Sequence, residues 1–367
     1  MRIKRNKHVV NILFKILFIA TIILQVAACS STPTVIQSSP SLAPYPDETT
    51  VTTQPTIAIS TPSPVPSVIQ NVSVPCFATY YDPFAFLPDS MRLLVRGDLG
   101  VQQFNLETMR SEKFIQAPDI LSGPTVALSP GGILAWAFDD GTIQLIRLPD
   151  QELINKMQSN QPSPIKLEFS SSKDMLYSGS SDGWVQFWDL GGNQRNAFRP
   201  VSEVMNIALS PNGNVIAVIP SDGPVELFNV EDLNIVRVLG GSGGYDTSDA
   251  VFSPDGKYLA ADLATGLHIW RTADGKELLD ADTPIYSMAV VYSPDGKYLA
   301  YADINNIVLS SPDSSREIRT FQGHQAPIFE LIFSPDSSIL VSADDMEIRV
   351  WRVEDGELLA VGKRECR

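Results

Sequence analysis

The sequence predicts an all-β protein in which one small antiparallel sheet is repeated seven times. Three observations carry that expectation. The octamer SPDGKYLA occupies residues 253–260 and returns, letter for letter, at 293–300; self-similarity at a fixed period marks a repeat architecture. Weaker copies keep the spacing: LSPGG at 128–132, FSSSK at 169–173, LSPNG at 209–213, FSPDS at 333–337 and a degenerate LPDS at 87–90. Beyond residue 75 no stretch sustains a helical period, whereas short apolar runs alternate with Gly, Pro and Asp turns.

The chain begins with a segment that stands apart from the fold. Residues 1–28 carry five basic side chains (Arg2, Lys4, Arg5, Lys7, Lys15) and no acidic one. A basic start, an apolar run over 16–24 and the small residues Val26-Ala27-Ala28 before Cys29 have the layout of a secretory signal. The ending resembles a bacterial lipobox. That resemblance implies cleavage before Cys29, acylation of its thiol, and a protein held to a membrane on the extracytoplasmic side. Residues 29–74 follow, rich in Ser, Thr and Pro; prolines at such density exclude a helix or a central strand and predict a disordered tether.

Residues 75–367 hold the repeat. Anchored at residues 87, 129, 170, 210, 253, 293 and 334, it gives seven units spaced 40 to 43 residues apart. Each anchor is turn chemistry: Pro presets φ, Asp bonds its own backbone, and Gly takes a positive φ. The last unit reads as four strands, over 326–333, 339–343, 347–353 and 357–361, separated by such turns. Several strands, such as VIAVI at 215–219, are apolar on both faces, as in a sheet covered on both sides. Four-stranded sheets stacked face to face around an axis, a seven-bladed β-propeller, satisfy that requirement.

The units resemble WD40 repeats. The last contains Gly323-His324, Phe333-Ser334-Pro335-Asp336, Leu340-Val341-Ser342, Asp345 and Ile348-Arg349-Val350-Trp351, and the third ends in SDGWVQFWD at 181–189. A turn aspartate stands six residues before the aromatic position at Asp98, Asp140, Asp182, Asp222, Asp303 and Asp345, with Ala264 in the fifth unit. The resemblance implies a structural hydrogen-bond tetrad, complete only in the last unit, where the Gly-His pair occurs, as His324, Ser342, Asp345 and Trp351. It also implies a non-enzymatic scaffold that binds a protein or peptide on its rim or face. Once Cys29 is spent on lipid, Cys76 and Cys366 remain. Counting along the repeat places them at the positions of Gly323 and His324 in an unbroken inter-unit connection. A disulfide across the ring seam is therefore expected, all the more because the last unit supplies its own outer strand.

Chemistry is otherwise sparse. After residue 28 there are two histidines, His268 and His324, without metal-ligand spacing to a second His or Cys. There is no GxSxG, P-loop or dinucleotide fingerprint. No catalytic residue, cofactor or metal is expected. His268, in a strand, reads as a packed or rim residue, and the acidic pairs Asp139-Asp140 and Asp344-Asp345 as turn residues. Trp184, at a turn, is either exposed or packed over it, and the Gly-rich run 240–245 is either a binding loop or a slack linker. The formal charge is −15; without residues 1–28, 22 basic side chains face 42 acidic ones, a balance that repels nucleic acid. The expected protein is a membrane-tethered monomeric binding scaffold. A propeller hydrolase or lyase with a site in the axial channel, or a structural lipoprotein of envelope assembly, are the alternatives.

Overall fold

The computed structural model describes residues 70–75, 84–97, 100–108, 110–116, 125–148, 150–159, 164–201, 203–241, 249–279, 289–314 and 316–365, all within one compact unit, Ser63–Arg367. The leader, Cys29, the tether up to residue 69, Asp98, Cys76, Cys366 and residues 242–248 lie outside the described residues.

Turn chemistry sets the strand boundaries. In each copy of the octamer the anchor Ser donates its Oγ–H to Asp Oδ1 (Ser253 to Asp255 and Ser293 to Asp295, both 2.7 Å) and accepts the backbone N–H five residues on, at 3.0 Å from Tyr258 and Tyr298. The glycines that follow, Gly256 and Gly296, both have φ of 71°, the left-handed conformation expected for them. Ser90 and Ser337 fill the same turn position at φ of 61° and 62°. Their hydroxyls accept backbone amides from the preceding blade, Ser337 from Asp295 at 3.0 Å and Ser90 from Asp336 at 3.1 Å. The second bond joins the last blade to the first.

The strands are, before the first blade, β1 (Gln70–Pro75); in blade 1, β2 (Phe84–Phe86), β3 (Arg92–Gly97), β4 (Gly100–Asn105) and β5 (Arg110–Gln116); in blade 2, β6 (Thr125–Leu128), β7 (Ile133–Ala137), β8 (Thr142–Arg147) and β9 (Glu152–Gln158). Blade 3 has β10 (Pro164–Phe169), β11 (Met175–Ser180), β12 (Val185–Asp189) and β13 (Gln194–Phe198); blade 4 has β14 (Val204–Leu209), β15 (Val215–Pro220), β16 (Glu226–Asn229) and β17 (Ile235–Val238). Blade 5 has β18 (Ala250–Phe252), β19 (Tyr258–Leu263) and β20 (Gly266–Arg271); blade 6 has β21 (Val290–Tyr292), β22 (Leu299–Asp303), β23 (Asn306–Ser310) and β24 (Glu317–Gln322). Blade 7 has β25 (Glu330–Phe333), β26 (Ile339–Ala343), β27 (Glu347–Arg352) and β28 (Leu358–Glu365).

Each blade is an antiparallel meander in chain order. Blade 5 shows three strands among the described residues, with a single bridge from Trp270 to Glu277 beyond them. The middle strands are buried on both faces, as in β15 and β26, whereas outer strands such as β5 and β17 are largely exposed. Between the third and fourth strands of six blades the register slips at the aromatic position or beside it, at Phe104, Ile146, Trp188, Phe228, Leu309 and Trp351. Such a bulge increases local twist and turns the outer strand away from its neighbours.

Seven apolar clusters hold the ring together, each drawn from two successive blades. One of them packs Phe84, Val95 and Phe104 of blade 1 against Val341, Ile348 and Val350 of blade 7, so the series returns to its start and the propeller closes. Burying one Leu or Ile side chain contributes about 1.5–3 kcal/mol; these clusters are the main source of cohesion.

The seam differs from expectation in one respect. Residues 70–74, read from sequence as the end of the tether, join Pro75 in β1, which pairs in parallel with β28 as a fifth strand of blade 7. Pro75 sits at the strand end, and the outer position tolerates it. Blade 7 does supply its own outer strand, and β1 is laid over that strand's free edge.

Candidate functional site

Most of the hydrogen-bonding side chains singled out from sequence meet in blade 7. β24 ends at Gln322, and the connection to blade 7 places His324 against the top of β26 and β27. Gly323 is favoured there by its φ of 150°, a backbone conformation that side chains rarely adopt; the nearest atoms to an added Cβ belong to the mobile guanidinium of Arg349. Trp351 Nε1–H donates to Ser342 Oγ at 2.8 Å. The Ser342 hydroxyl in turn donates to His324 Nε2 at 2.7 Å, and Nδ1–H of His324 donates to Asp344 Oδ2 at 2.8 Å. Each proton is used once along this chain, the arrangement in which buried hydrogen bonds reinforce one another.

The carboxylate of the network is Asp344, not Asp345. Residues 344–347 bridge the Ala343↔Ile348 pair. The first of them turns inward: Asp344 Oδ1 accepts the amides of Met346 and Glu347 at 2.7 and 2.8 Å while Oδ2 meets His324. Asp345 is exposed. Six residues before the aromatic position is the wrong count for blade 7: both blades turn over two central residues, 304–305 and 345–346, but Trp351 stands one residue further past its turn than Leu309 does, pairing with Leu340 where Leu309 pairs with Ala300. Burial would raise the Asp344 carboxyl, but the bonds from His324 and the two amides outweigh it and hold the group below its ordinary range.

Hydroxyl, imidazole and carboxylate in series have the composition of a nucleophile relay. Here the relay is sealed: Ser342 and Asp344 are fully buried and His324 is 2% exposed. Trp351 already occupies Ser342 Oγ, so no substrate carbonyl can approach it. His324, Asp344 and Glu347 also bring ligand atoms within 4.8 Å of one another. Binding a cation there would cost the bonds just described. Glu347 is further engaged by Arg349 Nε at 2.5 Å, whose guanidinium lies 5.8 Å from the Trp351 ring centre. This is a structural network.

Other blades hold fragments of it. In blade 3, Trp188 Nε1–H donates to Ser178 Oγ at 2.9 Å. In blade 5, Trp270 is fully buried and its Nε1 has no hydrogen-bond partner among the described residues. Its ring is stacked on His268, with centroids 5.3 Å apart. His268 is buried, as expected of a packed residue, and bonds Thr265 Oγ1 at 2.7 Å and Glu277 Oε1 at 2.5 Å. Trp184 is half-buried.

Sequence reasoning missed the residues that face outward beside the network. Ile304 and Met346, at the turns between the second and third strands of blades 6 and 7, are 59% and 66% exposed. Both turns flank the connection that carries His324: the Ile304 carbonyl accepts the Ile328 amide at 2.8 Å, and Asn305 Nδ2 donates to the His324 carbonyl at 3.2 Å. Ile304 also has a φ of 56°. It is the first central residue of a two-residue turn, where Gly is the ordinary occupant, and a β-branched side chain there is a conformational outlier. An apolar residue at a turn tip was the available signal.

The family described as WD domain, G-beta repeat matches residues 153–189 and 315–352. The chain is 27% identical over 198 residues to the WD repeat-containing protein SL1-17 of Schistosoma mansoni, covering 51% of this chain and 64% of that protein. It is 25% identical over 227 residues to a guanine nucleotide-binding protein subunit beta of Solanum tuberosum, covering 56% and 60%. Thus it spans less than two thirds of each relative's length. Among solved structures, a chain of the mitotic checkpoint complex superposes with a TM-score of 0.67 at 18% identity, over 83% of this chain and all of that one; at that identity the likeness concerns the fold. The family matches and the seven-bladed ring together support a WD40 β-propeller.

Proposed function

We propose that the protein is a membrane-tethered, non-enzymatic scaffold that docks a protein or peptide on the turns of blades 6 and 7. The observation that carries this reading is Ile304: a β-branched side chain held in the left-handed region and turned to solvent, beside the exposed Met346 on the next blade. Strain of this kind costs about 1–3 kcal/mol and persists where function requires it. Gly at that turn would relieve it, so the side chain is kept for what it contacts. Exposed Asp303 and Asp345 stand next to the two apolar residues, and the overall charge is acidic. The favoured partner presents an apolar side chain flanked by basic ones. Protein binding by propeller relatives adds analogy, not proof. The tether rests on the lipobox-like residues 26–29.

A photo-crosslinker installed at position 346 in intact cells, with position 235 on the rim of blade 4 as control, tests the docking site. The expected result is a specific adduct at 346, absent at 235 and lost with Ile304→Gly, although that variant gains stability. Identical adducts at both positions, or turnover of a small substrate by the purified protein, would overturn the reading. For the tether, Cys29→Ala should release the protein from the membrane fraction or stall its processing; normal cleavage with full membrane retention would refute acylation.

A further inference from the structure

We propose that Thr265 is an acyl acceptor activated by His268 and Glu277. These residues form another hydroxyl–imidazole–carboxylate series, in blade 5. Leu263 pairs with Gly266, so Ala264 and Thr265 are the central residues of the tight turn between β19 and β20, and Thr265 is exposed. Its Oγ1 lies 2.7 Å from His268 Nε2. On the other side of the ring, Nδ1 lies 2.5 Å from Oε1 of Glu277, which the bridge to Trp270 holds beside β20.

The carboxylate decides the direction of these bonds. An ionised Glu277 can only accept, so Nδ1 carries the ring proton and the neutral imidazole turns a bare Nε2 to the hydroxyl. A general base must lie within about 2.6–3.2 Å of the atom whose proton it takes, and His268 meets that distance. The Trp270 ring, stacked on the imidazole at an interplanar angle of 8°, fixes its plane. Access separates this series from that of blade 7. There the hydroxyl is fully buried and already bonded by Trp351. Here the side chains of His268 and Glu277 are 11% and 35% exposed, and the hydroxyl belongs to an exposed residue at a turn tip.

The acyl donor is an activated ester, an aryl ester or a thioester. Thr265 Oγ1 attacks its carbonyl carbon while the hydroxyl proton passes to His268 Nε2, and Glu277 stabilises the imidazolium through Nδ1–H. Collapse of the tetrahedral intermediate breaks the bond to the leaving phenol or thiol, which takes the proton back from Nε2. One ester is consumed, one is formed, and His268 and Glu277 return to their starting states. The product is an alkyl ester, far less reactive toward water than its donor, so the reaction ends at one acyl group per chain. This is a modification of the scaffold and not turnover, and it stands or falls separately from docking on blades 6 and 7.

The purified full chain is incubated with p-nitrophenyl acetate and its peptides are mapped by mass over time. The expected product carries an acetyl group on Thr265. Thr265→Ser should keep the acetyl group at that position and Thr265→Val should lose it. His268→Gln should slow its formation about a hundredfold, the low end of what a general base contributes, and Glu277→Gln should slow it as well. Melting temperatures of the variants show that each is folded, and the wild type and Thr265→Ser test the assignment even where another variant is not. Acetyl groups confined to lysine side chains in the wild type, or labelling of Thr265 at the wild-type rate in His268→Gln, would overturn the proposal.

Discussion

Blades 7 and 5 both bury a tryptophan at the end of the third strand, and they hold it by different means. Register makes the two sites equivalent: Trp351 pairs with Leu340 and Ser342 with Arg349, while Trp270 pairs with Leu259 and Ala261 with His268. Blade 7 therefore has Ser342 where blade 5 has Ala261. The hydroxyl gives Trp351 an acceptor and links it to His324 and Asp344. Without it, Trp270 keeps its place by packing and by the stacked His268 ring, and its buried N–H finds no partner among the described residues. The tryptophan's position in the blade is thus a matter of apolar packing, and the polar network is an addition that needs every member.

Five substitutions would break or sharpen that contrast. The largest effect is expected from Ser342→Ala, which converts blade 7 into blade 5 but leaves the Trp351 N–H and His324 Nε2 both buried and unpaired. Each such group costs about 1–3 kcal/mol, so the denaturant midpoint should fall clearly; an unchanged midpoint would mean that the network contributes nothing to stability. Next comes Asp344→Asn. The Asp344 carboxyl is held below its ordinary range in the folded protein, so its stabilising contribution is present above the unfolded-state pKa and is lost as pH falls through the depressed folded value. The variant should be less stable at neutral pH and should lose less on acidification below that ordinary range than the wild type does. Parallel pH profiles would refute the assignment of Asp344.

The reverse exchange, Ala261→Ser, should supply Trp270 with an acceptor and raise stability by about 0.5–1.5 kcal/mol. A loss instead would show that blade 5 has repacked around the missing hydroxyl. The smallest effects belong to the octamer turns. Gly256→Ala in blade 5 puts a Cβ at a φ of 71° and should cost about 1 kcal/mol. Ser337→Gly in blade 7 relieves the same strain but forfeits the bond to the Asp295 amide, and should stay within about 0.5 kcal/mol of wild type. Thermal melts of the pair distinguish turn strain from inter-blade bonding.

The repeat made most of the fold legible. Octamer spacing located all seven blades, and in blade 7 the strand expected at 339–343 is β26 to the residue. Local turn chemistry has that power because Pro, Asp and Gly restrict the backbone wherever they stand. What depended on three-dimensional accommodation was less legible. The aromatic residue stands one position further past the turn in blade 7 than in blade 6, and that difference moved the network carboxylate from Asp345 to Asp344. β1 lies at the end of a Pro- and Ser-rich stretch, and the short alternation Val72-Ser73-Val74 was outweighed by those neighbours; its partner strand supplies the template. Ile304 was invisible as a surface feature because apolar residues in short strands read as core.

The parallel strand β1 has a consequence for behaviour at high concentration. It is an edge strand added late in the topology, joined to β2 only by the short stretch 76–83, and its template is the last strand of the chain. Any molecule in which β1 has come away exposes the edge of β28 to the β1 of a neighbour, and the match would be as good as its own. This is the arrangement that permits domain swapping, opposed here by the high effective concentration that a short linker gives to the intramolecular partner. Removing residues 1–75 would therefore leave blade 7 with an open edge that other copies, or any extended peptide, can fill.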